Sequence, residues 1–160
     1  MPGKTIYHRM KGLNTHLAAN YKRVIGPTRI VMLLTTTGRK SGLPRVTPLQ
    51  YEQVDGDYYI ASARGTQADW FKNIQADPNV HVQIKEQEFD ALAEPITDPN
   101  RIADFIELRL QRHPVMIRLI MHLVDGVPLR YSRADMEAFC IEKAMVILRK
   151  YDDQELISEK

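Results

Sequence analysis

Hydrophobic positions in this chain change period several times, and each change marks an element. Ile6, Met10, Leu13 and Leu17 recur at helical spacing among Lys4, Arg9, Lys11 and Lys22, which predicts an amphipathic helix over residues 1–25 despite Gly12, closed by Gly26-Pro27. From Ile30 to Leu34 the apolar residues are continuous and rich in β-formers, a strand that ends before Gly38. Arg45–Val54 and Asp57–Ala63 are two further strands joined by Asp55-Gly56, a pair suited to the positive φ angles of a tight hairpin. Asp69–Ala76 reads as a short helix stopped by Asp77-Pro78, after which Val80, Val82 and Ile84 alternate with polar residues and Phe89–Pro95 pairs back onto them.

The later part is helical. Asp98-Pro99 starts a helix with an apolar face of Ile102, Phe105, Ile106 and Leu110; Pro114 breaks it, and Val115–Leu123 forms another. Ser132 with Asp135 caps a third short helix. Met145-Val146-Ile147-Leu148 then reads as a closing strand, although Met136, Phe139, Cys140, Ala144 and Ile147 also fit a helix running to Lys150. The sum is a mainly β, α+β chain: about six mostly antiparallel strands with helices before and after. A closed barrel is the economical arrangement because it leaves no exposed strand edge. We expect one domain over 1–160, with the N-terminal helix at 1–25, the barrel core at 30–97, a helical segment on the substrate side at 98–140 and the closing strand at 143–151.

Composition narrows the class. With 160 residues, 44% hydrophobic and 26% charged, the chain suits a domain with a complete core. A net charge of +2 does not call for nucleic acid, and a lone Cys140 gives neither an internal disulfide nor a zinc signature. No apolar run approaches the roughly 18 residues of a membrane span, and the N-terminus lacks the features of a signal peptide, so we expect a cytoplasmic protein. The basic flanks of the first helix add weak peripheral contact with the inner face of the plasma membrane as an expectation.

Candidate chemistry concentrates in two places. Thr35-Thr36-Thr37-Gly38-Arg39-Lys40-Ser41-Gly42 lies between two strands and combines glycines with two cations and several hydroxyls, which suits an anion. An ordinary basic hairpin loop would look similar, but Arg45 adds a third cation just beyond it. The segment is not a P-loop, for the spacing and the following helix are missing. Ala61-Ser62-Ala63-Arg64-Gly65-Thr66 is the second: small residues and a glycine would let the backbone approach a flat ligand, with Trp70 and Phe71 close behind. The plain alternative is that Trp70 anchors a helix to the barrel. His8, His16, His81, His113 and His122 form no metal-spaced pair, and GxSxG and GxGxxG motifs are absent. A reaction carried by a bound cofactor needs none of these.

The run Thr35-Thr36-Thr37-Gly38-Arg39-Lys40-Ser41-Gly42-Leu43-Pro44-Arg45-Val46-Thr47-Pro48-Leu49 resembles the deazaflavin-dependent nitroreductase family, whose hallmark is close to TTGRKSGxPRxxPL. The likeness continues through Asp57–Gly65 and Trp70–Pro78 to Ile84 and covers roughly Ile30 to Thr97. It implies a split β-barrel related to FMN-binding pyridoxine-phosphate oxidases, with coenzyme F420, an 8-hydroxy-5-deazaflavin, as reduced cofactor. Carried over by position, Arg39, Lys40, Ser41 and Arg45, with Gly42, would hold the phosphate and polyglutamate tail. Pro48 would lie against the ring system; Ala63, Arg64 and Gly65 would supply contacts around the deazaflavin and its ribityl chain; Trp70 would wall the pocket; Thr47, Leu49, Ala61 and Ser62 are further cofactor-binding candidates. Arg64 stands where lysine is also common, which changes the fork geometry. After Thr97 the chain departs from the compact members: Asp98–Phe139 is longer and more helical, and of their tyrosine-rich lip only Tyr131 is a candidate, as a proton donor.

The resemblance implies an oxidoreductase that transfers a hydride from reduced F420 to a small-molecule acceptor, a quinone, nitroaromatic or activated alkene, and that forms a homodimer. Two alternatives stay open: FMN as cofactor on the same barrel, and a non-catalytic carrier of cofactor or lipid, which the apolar stretch from Val115 to Val124 keeps in view.

Overall fold

The computed structural model describes residues 31–62 and 64–151. The expected N-terminal helix over 1–25 lies outside them, as does Ala63. Seven strands are present: β1 (Val31–Thr37), β2 (Pro44–Gln50), β3 (Glu52–Val54), β4 (Asp57–Ser62), β5 (Asn79–Ile84), β6 (Gln87–Ile96) and β7 (Ala144–Lys150). They pair antiparallel in the order β2-β1-β5-β6-β7-β4-β3. The two ends of that order are halves of one stretch of chain, interrupted only at Tyr51. The sheet therefore curls round until its first and last strands meet, and the predicted strand Arg45–Val54 is present as one bent element.

Local signals account for the turns. Asp55 and Gly56 take φ of 51° and 88°, as a two-residue hairpin between β3 and β4 requires. Strand β1 runs on to Thr37, so the connecting loop begins at Gly38 rather than at Thr35. Thr35 and Thr36 are buried; the sheet takes up their backbone groups, and the hydroxyl of Thr36 accepts a hydrogen bond from Asn73 Nδ2 at 3.2 Å.

Four α-helices are described: α1 (Asp69–Ala76), α2 (Pro99–Arg112), α3 (Pro114–Asp125) and α4 (Arg133–Cys140). Asp98 caps α2 by accepting from the Asn100 N–H at 2.9 Å, and Gly126, with φ of 69°, ends α3. Ser132 and Asp135 form a reciprocal capping box at the start of α4. The alternative of a helix continuing to Lys150 does not hold: α4 stops at Cys140 and the chain re-enters the sheet at Ala144. The reason is that β7 is covered on both faces. Val146 and Leu148 point into the barrel, Met145 and Ile147 into a second core beneath the helices, so the strand is apolar throughout and shows no alternation.

The two cores divide the molecule. Inside the barrel lie Met32, Leu34, Ile60, Val82 and Leu148, closed at one end by Phe71 and Ile74 of α1. Outside it, Ile96, Met145 and Ile147 receive Ile102 and Phe105 of α2, Ile117 and Met121 of α3, and Met136 and Cys140 of α4. No helix among the described residues is long and apolar enough to cross a membrane.

Candidate functional site

A cavity of about 590 Å³ lies between the outer wall of the barrel and the helical layer. Its origin is a change of side-chain size along β4. Tyr59 points outward and packs on Phe105, ring centroids 5.6 Å apart; two residues on, on the same face, stands Ala61, too small to fill the gap. Thr47, Pro48, Leu49 and Gln50 of β2 and Ser62 of β4 continue that wall, and Arg64, Ala68, Asp69 and Trp70 close one side. Opposite are Ile102, Ile106 and Arg109 at successive helical turns of α2, then Ile117, Ile120 and Met121 of α3, with Phe139 and Lys143.

Of the residues singled out from sequence, Thr47, Pro48, Leu49, Ala61, Ser62, Arg64 and Trp70 line this cavity. Trp70 is nearly buried and lies edge-on to Phe71, centroids 6.1 Å apart. It both anchors α1 and presents a wall to the cavity.

Arg39, Lys40, Ser41, Gly42 and Arg45 do not line it; of these, Arg39 touches a lining residue, Asp69. The loop is closed by Gly38 N–H to the Leu43 carbonyl and Gly42 N–H to the Gly38 carbonyl, each 2.8 Å. Gly42 has φ of 68°. Arg39 ties the loop to α1: Nη1 donates to Asn73 Oδ1 at 2.9 Å and Nη2 to Asp69 Oδ1 at 3.1 Å. This guanidinium holds the exposed Asp69 carboxyl below the usual range, through its hydrogen bond first and its charge second. Since Asp69 and Trp70 line the cavity, the tie places the basic loop at its edge. Lys40 and Arg45 are exposed, with no ion pair among the described residues.

Gly65 lies off the cavity. It is buried with φ of 59°, and a Cβ there would run into the Glu142 carbonyl oxygen; Ser62 Oγ donates to the Gly65 carbonyl at 2.7 Å. The glycine serves the close approach of this turn to the chain leading into β7. Tyr131 is half-buried and packs on the helical core, also off the cavity.

Several cavity residues carried no signal as site residues, chief among them Arg109, Lys143 and Asp125. Arg109 is seven residues after Ile102 and three after Ile106, so the helical period alone puts it on their face; what it meets there is not written in the period. Glu52, buried on β3, gathers three partners from the end of α2: Arg112 Nη1 donates to its Oε2 at 3.1 Å, while His113 Nε2 and Arg109 Nε lie 3.0 and 3.7 Å from its Oε1. Arg109 Nη2 donates to Gln50 Oε1 at 2.8 Å. Burial pulls the Arg109 pKa down, opposed by the Glu52 charge. Across the cavity Lys143 Nζ lies 3.6 Å from Asp125 Oδ1 and over the Phe139 ring, 4.7 Å from its centroid.

Other reactive groups are occupied elsewhere. His81 is buried in the barrel wall with Nδ1 2.9 Å from Asp90. Burial pushes the Cys140 thiol up to about 11, which makes it a poor nucleophile. Among the described residues no group of three or more His, Cys, Asp or Glu could hold a metal ion.

Comparison with known proteins adds a relationship to this geometry. The profile of a family described as F420H(2)-dependent quinone reductase matches residues 7–115. An F420H(2)-dependent quinone reductase of Mycobacterium tuberculosis is 36% identical over 69 residues, 41% of this chain and 46% of the relative. The chain thus spans about half the length of the curated relatives it matches. A solved structure described as an F420 reductase aligns with TM-score 0.50 at 18% identity, covering 78% of this chain and 88% of that one. Another, described as a domain-swapped dimer, aligns with TM-score 0.51 at 20% identity, covering 86% and 94%. At such identities the likeness establishes the fold, an α+β split β-barrel.

Proposed function

The chain belongs to the F420H(2)-dependent quinone reductase family, and from that premise we propose that it binds reduced coenzyme F420 along the barrel wall and reduces an organic acceptor held under the helices. The observation that carries this reading is the cavity itself: a small-residue wall of Pro48, Ala61 and Ala68 beside Trp70, with cations at one edge and an apolar roof of Ile102, Ile106, Ile117 and Ile120. The residues present fit the group. A flat ring needs a wall without bulky side chains, and an anionic tail needs cations with no ion pair among the described residues, which Arg64 on the lining and Lys40 and Arg45 of the neighbouring loop and strand supply. When bound, the deazaflavin supplies a hydride; the protein orients two flat partners and keeps water from the contact.

Within this reading Arg39 acts differently from its neighbours. Its guanidinium is committed to Asp69 and Asn73, so it shapes the rim, while Lys40, Arg45 and Arg64 grip the tail, with Ser41, Gly42 and Thr47 close to them. Gly65 contributes through the turn that follows β4, and Ala63, outside the described residues, is retained as a coenzyme contact. Tyr131 would reach an acceptor only by leaving its packing, so the final proton comes from water. Nitroaromatics and activated alkenes are the other flat acceptors in view beside quinones. A homodimer, a cytoplasmic location and weak contact of the N-terminal segment with anionic lipid complete the proposal; the domain-swapped neighbour supports the first.

The test is anaerobic oxidation of reduced F420 by a quinone, followed by absorbance, with competitive binding of F420 against FMN. Turnover with F420 and tighter binding of F420 than FMN at low salt are expected. Lys40→Ala should weaken F420 binding by about 1–3 kcal/mol at unchanged melting temperature, and Arg39→Ala should lower the melting temperature as well. Tighter binding of FMN, or binding of either cofactor without turnover, would replace this reading with the FMN or the carrier alternative.

A further inference from the structure

The charge on the helical side of the cavity does not balance. Two carboxylates line the cavity, Asp69 and Asp125, and each is already paired, with Arg39 and Lys143. Behind Arg109 the buried Glu52 is the single carboxylate shared by two guanidiniums, Arg109 and Arg112, and by His113. One negative charge thus faces at least two positive ones. The geometry is incomplete in the same sense. Arg109 Nη2 has Gln50 Oε1 as acceptor and the buried Nε faces Glu52 Oε1 at 3.7 Å, beyond hydrogen-bond reach, while Nη1 has no acceptor among the described residues. A guanidinium cannot shed its charge to relieve this. Ile102, Ile106 and Ile117 line the same cavity, so an anion arriving there would meet the Nη1 donor and the guanidinium charge in surroundings that screen charge weakly.

We propose that Arg109 is the specificity-determining residue of the acceptor site, selecting flat acceptors that carry an anionic oxygen, such as ionised hydroxyquinones, over neutral ones of the same shape. This rests on the function proposed above and deepens it. Arg109 is assigned to the acceptor because it hangs from α2 beside the apolar roof, its guanidinium reaching Gln50 at the end of β2. Glu52 and Gln50 hold the guanidinium in place, so the fork is oriented before the acceptor enters.

The test is equilibrium binding by the full-length protein, read by quenching of Trp70, the only tryptophan in the chain, which walls the same cavity. The probes are 2-hydroxy-1,4-naphthoquinone, an anion at neutral pH, and its methyl ether, which is neutral and of similar shape. Wild-type protein should bind the hydroxy probe about tenfold more tightly or better, the range of a charge-assisted hydrogen bond. Arg109→Gln should abolish the preference by weakening the hydroxy probe alone, and Arg109→Lys, which keeps the charge, should retain most of it. A thermal melt on each variant shows whether it folds, and the wild-type comparison needs no variant. Equal binding of both probes by wild type, or a preference that survives in a folded Arg109→Gln, would overturn the proposal. So would a preference that disappears once F420 is bound, since Arg109 would then serve the coenzyme. A preference that stands while reduced F420 is neither bound nor oxidised would support Arg109 as an anion selector and strike instead at the coenzyme reading.

Discussion

The two walls of the cavity are built to different standards. On the barrel wall β4 is joined to β3 and β7 and β2 to β1, and behind them β7 is buried on both faces, with Met145, Val146, Ile147 and Leu148 all within 2% of complete burial. Opposite it, α3 buries Ile117 and Met121 but leaves Val115 and Leu123 78% and 70% exposed. Its C-terminal end is tied across the cavity by the pair Lys143–Asp125, whose side chains are 24% and 26% exposed. A strand in the middle of a sheet cannot move without breaking two ladders, whereas a helix resting on two side chains and a partly solvated ion pair can. One wall is therefore a constant surface and the other an adjustable one. That division suits the proposed use of the pocket, with coenzyme on the barrel wall and acceptor under the helices.

The contrast can be broken at its strongest point first. Phe71 is fully buried where α1 closes the barrel, and Phe71→Ala should cost about 3–5 kcal/mol in urea unfolding. A loss below about 1 kcal/mol would show the barrel core to be loosely packed. Gly65→Ala places a Cβ against the Glu142 carbonyl at a left-handed backbone; combining that backbone cost with the overpacking gives about 2–4 kcal/mol. The same variant should shift amide resonances at the start of β7, and an unchanged spectrum would mean that the junction is slack.

Smaller effects sharpen the helical side. Ser132→Ala removes the α4 cap and should cost about 1 kcal/mol, read by thermal denaturation. The cap also predicts a pH dependence. Hydrogen bonding to the Ser132 backbone N–H first, then to its hydroxyl, lowers the Asp135 pKa, so its contribution is present above the unfolded carboxyl value, about 4, and is lost as pH falls through the lower folded value. Helix α4 should loosen on acidification below about pH 4; Asp135→Asn should flatten that response, and Ser132→Ala, which keeps the backbone N–H, should only reduce it. The smallest change in stability belongs to Asp125→Asn, at about 0.2–1 kcal/mol. Its larger readout should be faster amide exchange confined to Pro114–Asp125, with a raised KM for the acceptor and an unchanged F420 affinity. Faster exchange spread over β4 and β7 would erase the distinction between the walls.

What was legible in the sequence was local. Asp55-Gly56 specifies its hairpin because only two residues must reach positive φ, and Asp98-Pro99 and Ser132–Asp135 specify helix starts because cap and N–H lie within three residues of each other. The candidate site was legible to the same extent: Thr47–Leu49, Ala61, Ser62, Arg64 and Trp70 sit on two strands and the turns around them, and those strands bring them to the cavity. The residues 145–148 were ambiguous, since burial on both faces erases the alternation that separates strand from helix. Tertiary structure alone decided the rest. Arg39 meets Asn73 across 34 positions, which turns one of three similar cations into a structural tie, and Arg112 meets Glu52 across 60, which completes the cluster behind Arg109. Hydrophobic period and turn chemistry act over a few residues, but the charge left over in a cavity depends on which carboxylates folding brings to which guanidiniums.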